Sequence, residues 1–147
     1  MKHRPATVLF VSDTLADGQL VTQALAQVQA PHEVVQVSPL QFEGLLLSWT
    51  TRLATAAGVP RLVVIDTSVP TVTHYDVVRT VRATRSTRHT PVLILAERAL
   101  DVELRLCYEA GANSFLCKPA SDQERVEAVA TAVAYWLLLN LPPSVAT

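Results

Sequence analysis

Apolar residues along this chain come in two alternating rhythms. Thr7 to Val11, Leu62 to Ile65 and Val92 to Leu95 are short, largely unbroken apolar runs rich in β-branched residues. Such runs predict strands covered on both faces. Between them the spacing changes to three and four. Leu20, Val21, Ala24, Leu25 and Val28 fall on one helical face, and Phe42, Leu45, Leu46, Trp49 and Leu53 on a second. Val77, Val78 and Val81 make a third, and Leu100, Leu104 and Cys107 a fourth. Pro31 stops the first helix, Pro39 stands where the second begins, Gly58 and Pro60 end it, and Gly111 closes the fourth. Glu33 to Val37 and Ser114 to Cys117 complete a set of five strands. Ser121 and Glu124 then form the S-x-x-E capping box of a last helix running to about Leu139.

Five strands, each followed by a helix, predict an α/β architecture: a doubly wound parallel sheet with helices on both faces. The flavodoxin-like order 2-1-3-4-5 is the commonest five-stranded solution, and it places ligands outside the carboxyl ends of the strands. The residues at those ends are Asp13, Asp66, Ala96 with Glu97, and Lys118. In that order strands one and three are neighbours, so Asp13 and Asp66 are expected to face each other. Two such carboxylates repel unless a cation lies between them, and a hard, oxygen-seeking ion such as Mg²⁺ suits them. Lys118 supplies a point positive charge for a phosphoryl oxygen. Together these groups make a nucleophile, a charge neutraliser and a clamp for phosphoryl transfer. Each residue alone has a plainer reading, Asp66 as a turn residue and Lys118-Pro119 as a strand ending. Their recurrence at three strand ends argues against coincidence.

Composition narrows the picture. The chain has 147 residues, half of them hydrophobic and 17% charged, with a net charge of −1. That is one domain with a sizeable core, and nothing in it favours nucleic acid. Arg79, Arg82, Arg85 and Arg88 read as a solvated helix face. Cys107 and Cys117 lack metal or redox spacing and are expected as buried free thiols in a reducing cytoplasm. His3, His32, His74 and His89 show no metal spacing and are expected at the surface or in loops. There is no signal-peptide pattern, and the apolar C-terminal stretch is too short and Ala-rich to span a bilayer. The expected location is the cytoplasm.

Four segments carry a family resemblance: Val8 to Asp13, Leu62 to Pro70, Pro91 to Ala96, and above all Glu109 to Pro119. The last combines a Gly-Ala pair, an aromatic residue and Lys-Pro at a spacing that is a family hallmark. From about Ala6 to Leu139 the chain resembles the receiver domain of two-component response regulators. The resemblance implies a single receiver domain over residues 1–141 with a short tail, 142–147. It implies that Asp66 is the phosphoacceptor, that Asp13, Asp66 and the Ser68 backbone carbonyl hold Mg²⁺, and that Lys118 contacts the phosphoryl group. Phe115 becomes the aromatic that moves on activation, and the Lys118–Pro119 bond is expected to be cis. Members take the phosphoryl group from a phosphohistidine on a sensor histidine kinase and assist its transfer and removal. They are signalling receivers rather than enzymes. The long second-helix region and the ending Tyr135 to Pro143 resemble the short regulators, free of an output domain, that accompany bacterial phytochromes. With no DNA-binding segment attached, output is expected through another protein.

Three departures stand out. Ser12-Asp13 replaces the family's usual acidic pair, leaving a metal site of lower charge. Ala96 replaces the Thr or Ser whose hydroxyl bonds the phosphoryl group, and Glu97 replaces a small residue, either repelling a phosphoryl donor or pointing to solvent. The segment after Pro70 lacks the Gly expected near His74, so its path is expected to differ. These changes set a phosphorylatable receiver with a weakened switch against a pseudo-receiver, a phosphate-independent interaction module. Retention of Asp13, Asp66 and Lys118 favours the first. A flavin binder is disfavoured because Ser12 to Gly18 is too acidic for a phosphate loop. A haloacid-dehalogenase-like phosphatase is disfavoured because Ser68 stands where a second Asp is needed.

The last helix has no charged residue from Ala128 to Leu141. Val126, Val129, Val133 and Leu137 supply the stripe for the sheet, yet Ala128, Ala132, Tyr135, Leu138 and Leu139 opposite are apolar too. Such a surface predicts a protein contact, here an isologous homodimer involving Val129, Ala132, Val133, Tyr135, Trp136, Leu138 and Leu139.

Overall fold

The computed structural model describes residues 6–13, 15–30, 32–42, 44 and 59–143. Five parallel strands, β1 (Ala6–Ser12), β2 (His32–Val37), β3 (Leu62–Thr67), β4 (Val92–Ala96) and β5 (Ser114–Cys117), form one sheet in the order β2-β1-β3-β4-β5. This is the expected flavodoxin-like arrangement. Among the described residues the long helices are α1 (Leu15–Ala26), α2 (Val72–Ala83), α3 (Asp101–Ala110) and α4 (Asp122–Ala134). The last continues as a π-helical turn, Tyr135–Leu139. Residues 39–42 and 44 are helical, and the remaining positions of the second predicted helix, Leu45 to Leu53, lie outside the described residues.

The pleat explains the layering. Successive strand side chains leave on opposite faces. Leu9, Val11, Val63, Ile65, Val92 and Ile94 therefore pack with α2 and α3, while Val8, Phe10, Leu62, Val64, Leu93 and Leu95 pack with α1 and α4. All residues of β3 and β4 are buried, as their unbroken apolar runs predict. Register sets Ser12 beside Asp66, and Thr67 beside Ala96, which in turn pairs with Cys117. The strand ends that carry the chemistry thus share one rim.

Several expectations are corrected. Leu100 is 66% exposed, because it is the N-cap of α3 and not part of its buried stripe. Cys107 is buried as expected, and desolvation pushes its thiol up to about 11. Cys117 is exposed at the end of β5. Arg82 does not belong to a solvated face. It donates to the carbonyls of Gly111 (2.9 Å) and Thr90 (2.6 Å), and also to the Asn113 side chain. It thereby ties the end of α2 to the loops before β4 and β5. Gly111 serves that tie twice, adopting a φ of 119° to end α3 and leaving room for Arg82, whose Cγ would lie 2.7 Å from an added Cβ. Replacing Arg82 with Ala is expected to destabilise the fold by about 2–3 kcal/mol, since it leaves loop acceptors without a charged donor. Urea denaturation checks this, and an unchanged midpoint would show the loops holding without it.

Candidate functional site

The carboxyl ends of β1, β3, β4 and β5 meet at the rim, and the pleat divides the chemistry there. Asp66 leaves β3 on the side of Leu62 and Val64, while Thr67 leaves on the side of Val63 and Ile65. Lys118 lies two strand positions away and crosses above β4 to reach Asp66. Its Nζ donates to Asp66 Oδ1 at 2.6 Å, with the Asp66 side chain fully buried and that of Lys118 5% exposed. The backbone of Lys118 is anchored to the same strand, its N–H donating to the Ala96 carbonyl at 2.8 Å. Ala96 is fully buried at the end of β4, on the face of Thr67 and opposite to that of Asp66. It carries no hydroxyl to offer a phosphoryl group.

Glu97 is exposed, one of the two outcomes the sequence reading allowed, yet its carboxylate is paired on both sides. Its carboxylate is gripped by both terminal nitrogens of Arg125, at 2.8 and 2.6 Å, and lies 3.4 Å from Lys118 Nζ. The hydrogen bond from Arg125 is the largest influence holding its carboxyl below the ordinary range. Lys118 adds to this, against an opposing effect of burial. Asp66, Lys118, Glu97 and Arg125 form a chain of alternating charge from the strand rim to α4. Contrary to expectation the Lys118–Pro119 bond is not cis, and no described peptide bond is. The trans bond, the ordinary preference of X–Pro, leaves the Pro119 carbonyl accepting from Arg125 Nε at 2.5 Å.

The other half of the rim is built around Asp13. It does not simply face Asp66. Its Oδ2 accepts from Thr67 Oγ1 at 2.7 Å, and its Oδ1 lies 2.9 Å from His74 Nε2. His74 is a correction to the surface-or-loop expectation, being buried in the first turn of α2. The helix begins where the family's Gly is missing, with Thr71 as N-cap and His74 at the third helical position. The Thr71 backbone N–H donates to His74 Nδ1 at 2.9 Å. The Thr-x-x-His spacing, a capping box with imidazole in place of Glu, was the signal that could have found it.

Asp13, Asp66 and the Ser68 carbonyl are hard oxygen donors of the kind a divalent cation takes, with the Asp13 side chain 39% exposed and open to water. The Ser68 carbonyl already accepts from the Glu97 N–H at 3.0 Å, which leaves one lone pair. Among the described residues no cluster of three His, Cys, Asp or Glu side chains is drawn together as a metal cage. The donor set therefore fits an ion that keeps several waters, with lower charge than an acidic pair at 12 and 13 would give. Ser12 is buried in register with Asp66. Phe115 is half-buried against the α2–α3 side of the core.

The fold and this rim are those of a receiver domain. No family model matches the chain. It is 27% identical over 141 residues to a probable methanogenesis regulatory protein, FilR2, of Methanothrix harundinacea, covering 95% of this chain and 88% of that one. It is 30% identical over 116 residues to the two-component response regulator ORR12 of Oryza sativa subsp. japonica, covering 76% of this chain and 85% of the relative. Among solved structures, the Mn²⁺-bound form of response regulator Rcp1 superimposes with a TM-score of 0.78 at 21% identity, covering 95% of this chain and all of the other. The phosphorylated cyanobacterial phytochrome response regulator RcpA gives 0.77 at 23%, covering 95% and 99%. The chain belongs to the two-component response regulators.

Glu97→Gln is expected to flatten the acid limb of the stability curve. The depressed carboxylate contributes stability that is fully present above its unfolded pKa of about 4.3 and is lost as pH falls through the folded value. Partial exposure limits the effect to about 1 kcal/mol or less. Urea midpoints measured from neutral to acid pH check it, and superimposable limbs for the two proteins would show no contribution.

Proposed function

We propose that the protein is a phosphoacceptor receiver, phosphorylated on Asp66 by a partner histidine kinase and passing the signal through protein contacts. The observation that carries this is the buried 2.6 Å contact between Asp66 and Lys118 at the strand rim. A carboxylate oxygen of Asp66 attacks the phosphorus of a phosphohistidine. An O–P bond forms as the P–N bond breaks, and the departing imidazole nitrogen keeps the electron pair and takes a proton from water. Lys118, already aimed at the reacting carboxylate, then serves the phosphoryl oxygens. A divalent cation held by Asp13, Asp66 and the Ser68 carbonyl would neutralise charge on the phosphoryl group. Mg²⁺ is the expected ion on the donor chemistry alone, and Mn²⁺ in Rcp1 supports a divalent site in this fold.

A sensor of the bacterial phytochrome kind is the proposed partner. Its support is the fold match over 95% of this chain to the cyanobacterial phytochrome response regulator RcpA, with a TM-score of 0.77. No helix among the described residues is long and apolar enough to cross a membrane. One observation favours the pseudo-receiver as a second reading: Glu97 places a carboxylate of this chain on Lys118, where a phosphoryl oxygen would be received.

The proposed dimer surface needs revision. Val129 and Val133 are 1% and 0% exposed, packed into the core against the sheet, and are unavailable to a second copy. Ala132 and Trp136 are partly buried against that same core. Tyr135, Leu138, Leu139 and Leu141 are 47%, 54%, 76% and 92% exposed and form the apolar face that remains. We assign the homodimer contact to these four.

Two experiments test this reading. Incubation with Mg²⁺ and a small phosphodonor is expected to add one phosphoryl mass to the intact protein and none to Asp66→Asn. No gain, where a standard receiver gains it, selects the pseudo-receiver. Light scattering at micromolar concentration is expected to show a dimer that Leu138→Glu converts to monomer. A monomeric wild-type protein removes the interface.

A further inference from the structure

His74 occupies a position the proposed phosphotransfer does not use. The residue is buried, yet its ring reaches the carboxylate of Asp13 from 61 positions away in sequence. A backbone N–H can only donate, so the 2.9 Å contact from Thr71 N makes His74 Nδ1 an acceptor. The ring proton then lies on Nε2, directed at Asp13, with Oδ1 at 2.9 Å and Oδ2 at 3.3 Å. In this tautomer Nε2 has no lone pair to give a metal. Recruiting it as a ligand would move the proton to Nδ1, at the cost of the bond from Thr71 N–H and with Thr71 Oγ1, 3.1 Å away, left to accept it. As placed, His74 donates to Asp13 rather than coordinating beside it. Thr67 Oγ1 donates to the other oxygen, so both carboxylate oxygens are engaged by the protein's own donors.

We propose that His74 is an internal occupant of the cation site. Its Nε2–H answers part of the Asp13 charge when no ion is bound, and a divalent cation drawing on the same carboxylate weakens or displaces that hydrogen bond. The residue therefore sets metal affinity as a competitor. This rests on the reading of Asp13 as a metal ligand. It assigns to this chain a gate absent wherever a glycine fills the same position, since glycine has no side chain to reach the rim.

Mn²⁺ binding, followed at fixed neutral pH through the paramagnetic resonance signal of the free ion, separates the outcomes. His74→Ala is expected to bind Mn²⁺ about tenfold more tightly than wild type, the effect of relieving one charge-assisted hydrogen bond. Equal affinity overturns the gate, and so does weaker affinity, which would make His74 a support for the metal ligand rather than its competitor. Asp13→Asn is expected to abolish binding in both backgrounds. If it binds like wild type, the reading of Asp13 has failed, whatever His74 does. An absence of binding by wild type and His74→Ala alike overturns both. Should the variant not fold, nitrogen NMR of the wild-type imidazole gives the answer without it. The Nε2–H tautomer is expected before Mg²⁺ addition, with its hydrogen bond lost at saturation. An unaltered Nε2–H signal at saturating Mg²⁺ overturns the proposal.

Discussion

A fully buried carboxylate needs a cation, and in this protein the cation comes from two strands away. The Asp66–Lys118 contact is the constraint around which the rim is arranged. Removing two charges from water costs several kcal/mol per ion, and only a close, well-directed pair offsets it. That pair forms only if β3, β4 and β5 lie in parallel succession, so that their carboxyl ends coincide. The apolar runs of β3 and β4 meet this condition, because strands covered on both faces have no alternative partner in water. Core packing and site chemistry are thus one requirement viewed from the two ends of the same strands.

Most of this was legible from periodicity. A buried parallel strand and an amphipathic helix leave different signatures, and their strict alternation left few topologies. Asp66 and Lys118 followed from being the first polar residues after such runs. The rest depends on contacts that no local pattern encodes. Glu97 and Arg125 are 28 positions apart, and His74 and Asp13 are 61. Their pairing is decided by how α4 and α2 return to the sheet, which hydrophobic spacing does not specify beyond the face. The start of α2 was missed because Val72 and Thr73 are exposed and the buried residues of its first turn, His74 and Tyr75, are not aliphatic and do not register as an apolar run. Arg82 was misread for a similar reason. Its neighbours Arg79, Arg85 and Arg88 do face solvent, and only the fold of two distant loops brings carbonyls to its guanidinium.

The rim is therefore already answered from within on both sides. Asp66 has Lys118, Lys118 shares itself with Glu97, and Glu97 is held by Arg125. Asp13 has Thr67 and His74. Opposite charges and directed donors of the chain itself thus occupy the rim. Ligands must then compete, and the relevant quantity is the difference between the internal contact and the one replacing it.

That competition has a direction. Without a hydroxyl at Ala96, the fourth loop has no neutral hydrogen-bonding group with which to follow a phosphoryl oxygen. What it has is Glu97, one residue further on, with a charge of the same sign as phosphate. Additional negative charge on Asp66 strengthens the hold on Lys118 at that end and loosens it at Glu97, because one ammonium cannot serve both equally. Glu97 is then left to Arg125, whose guanidinium is anchored in the first turn of α4 and to the Pro119 carbonyl. The same helix ends in the exposed residues Tyr135, Leu138 and Leu139. A change of charge at the rim therefore meets the last helix through three ionic contacts in series, Asp66–Lys118, Lys118–Glu97 and Glu97–Arg125.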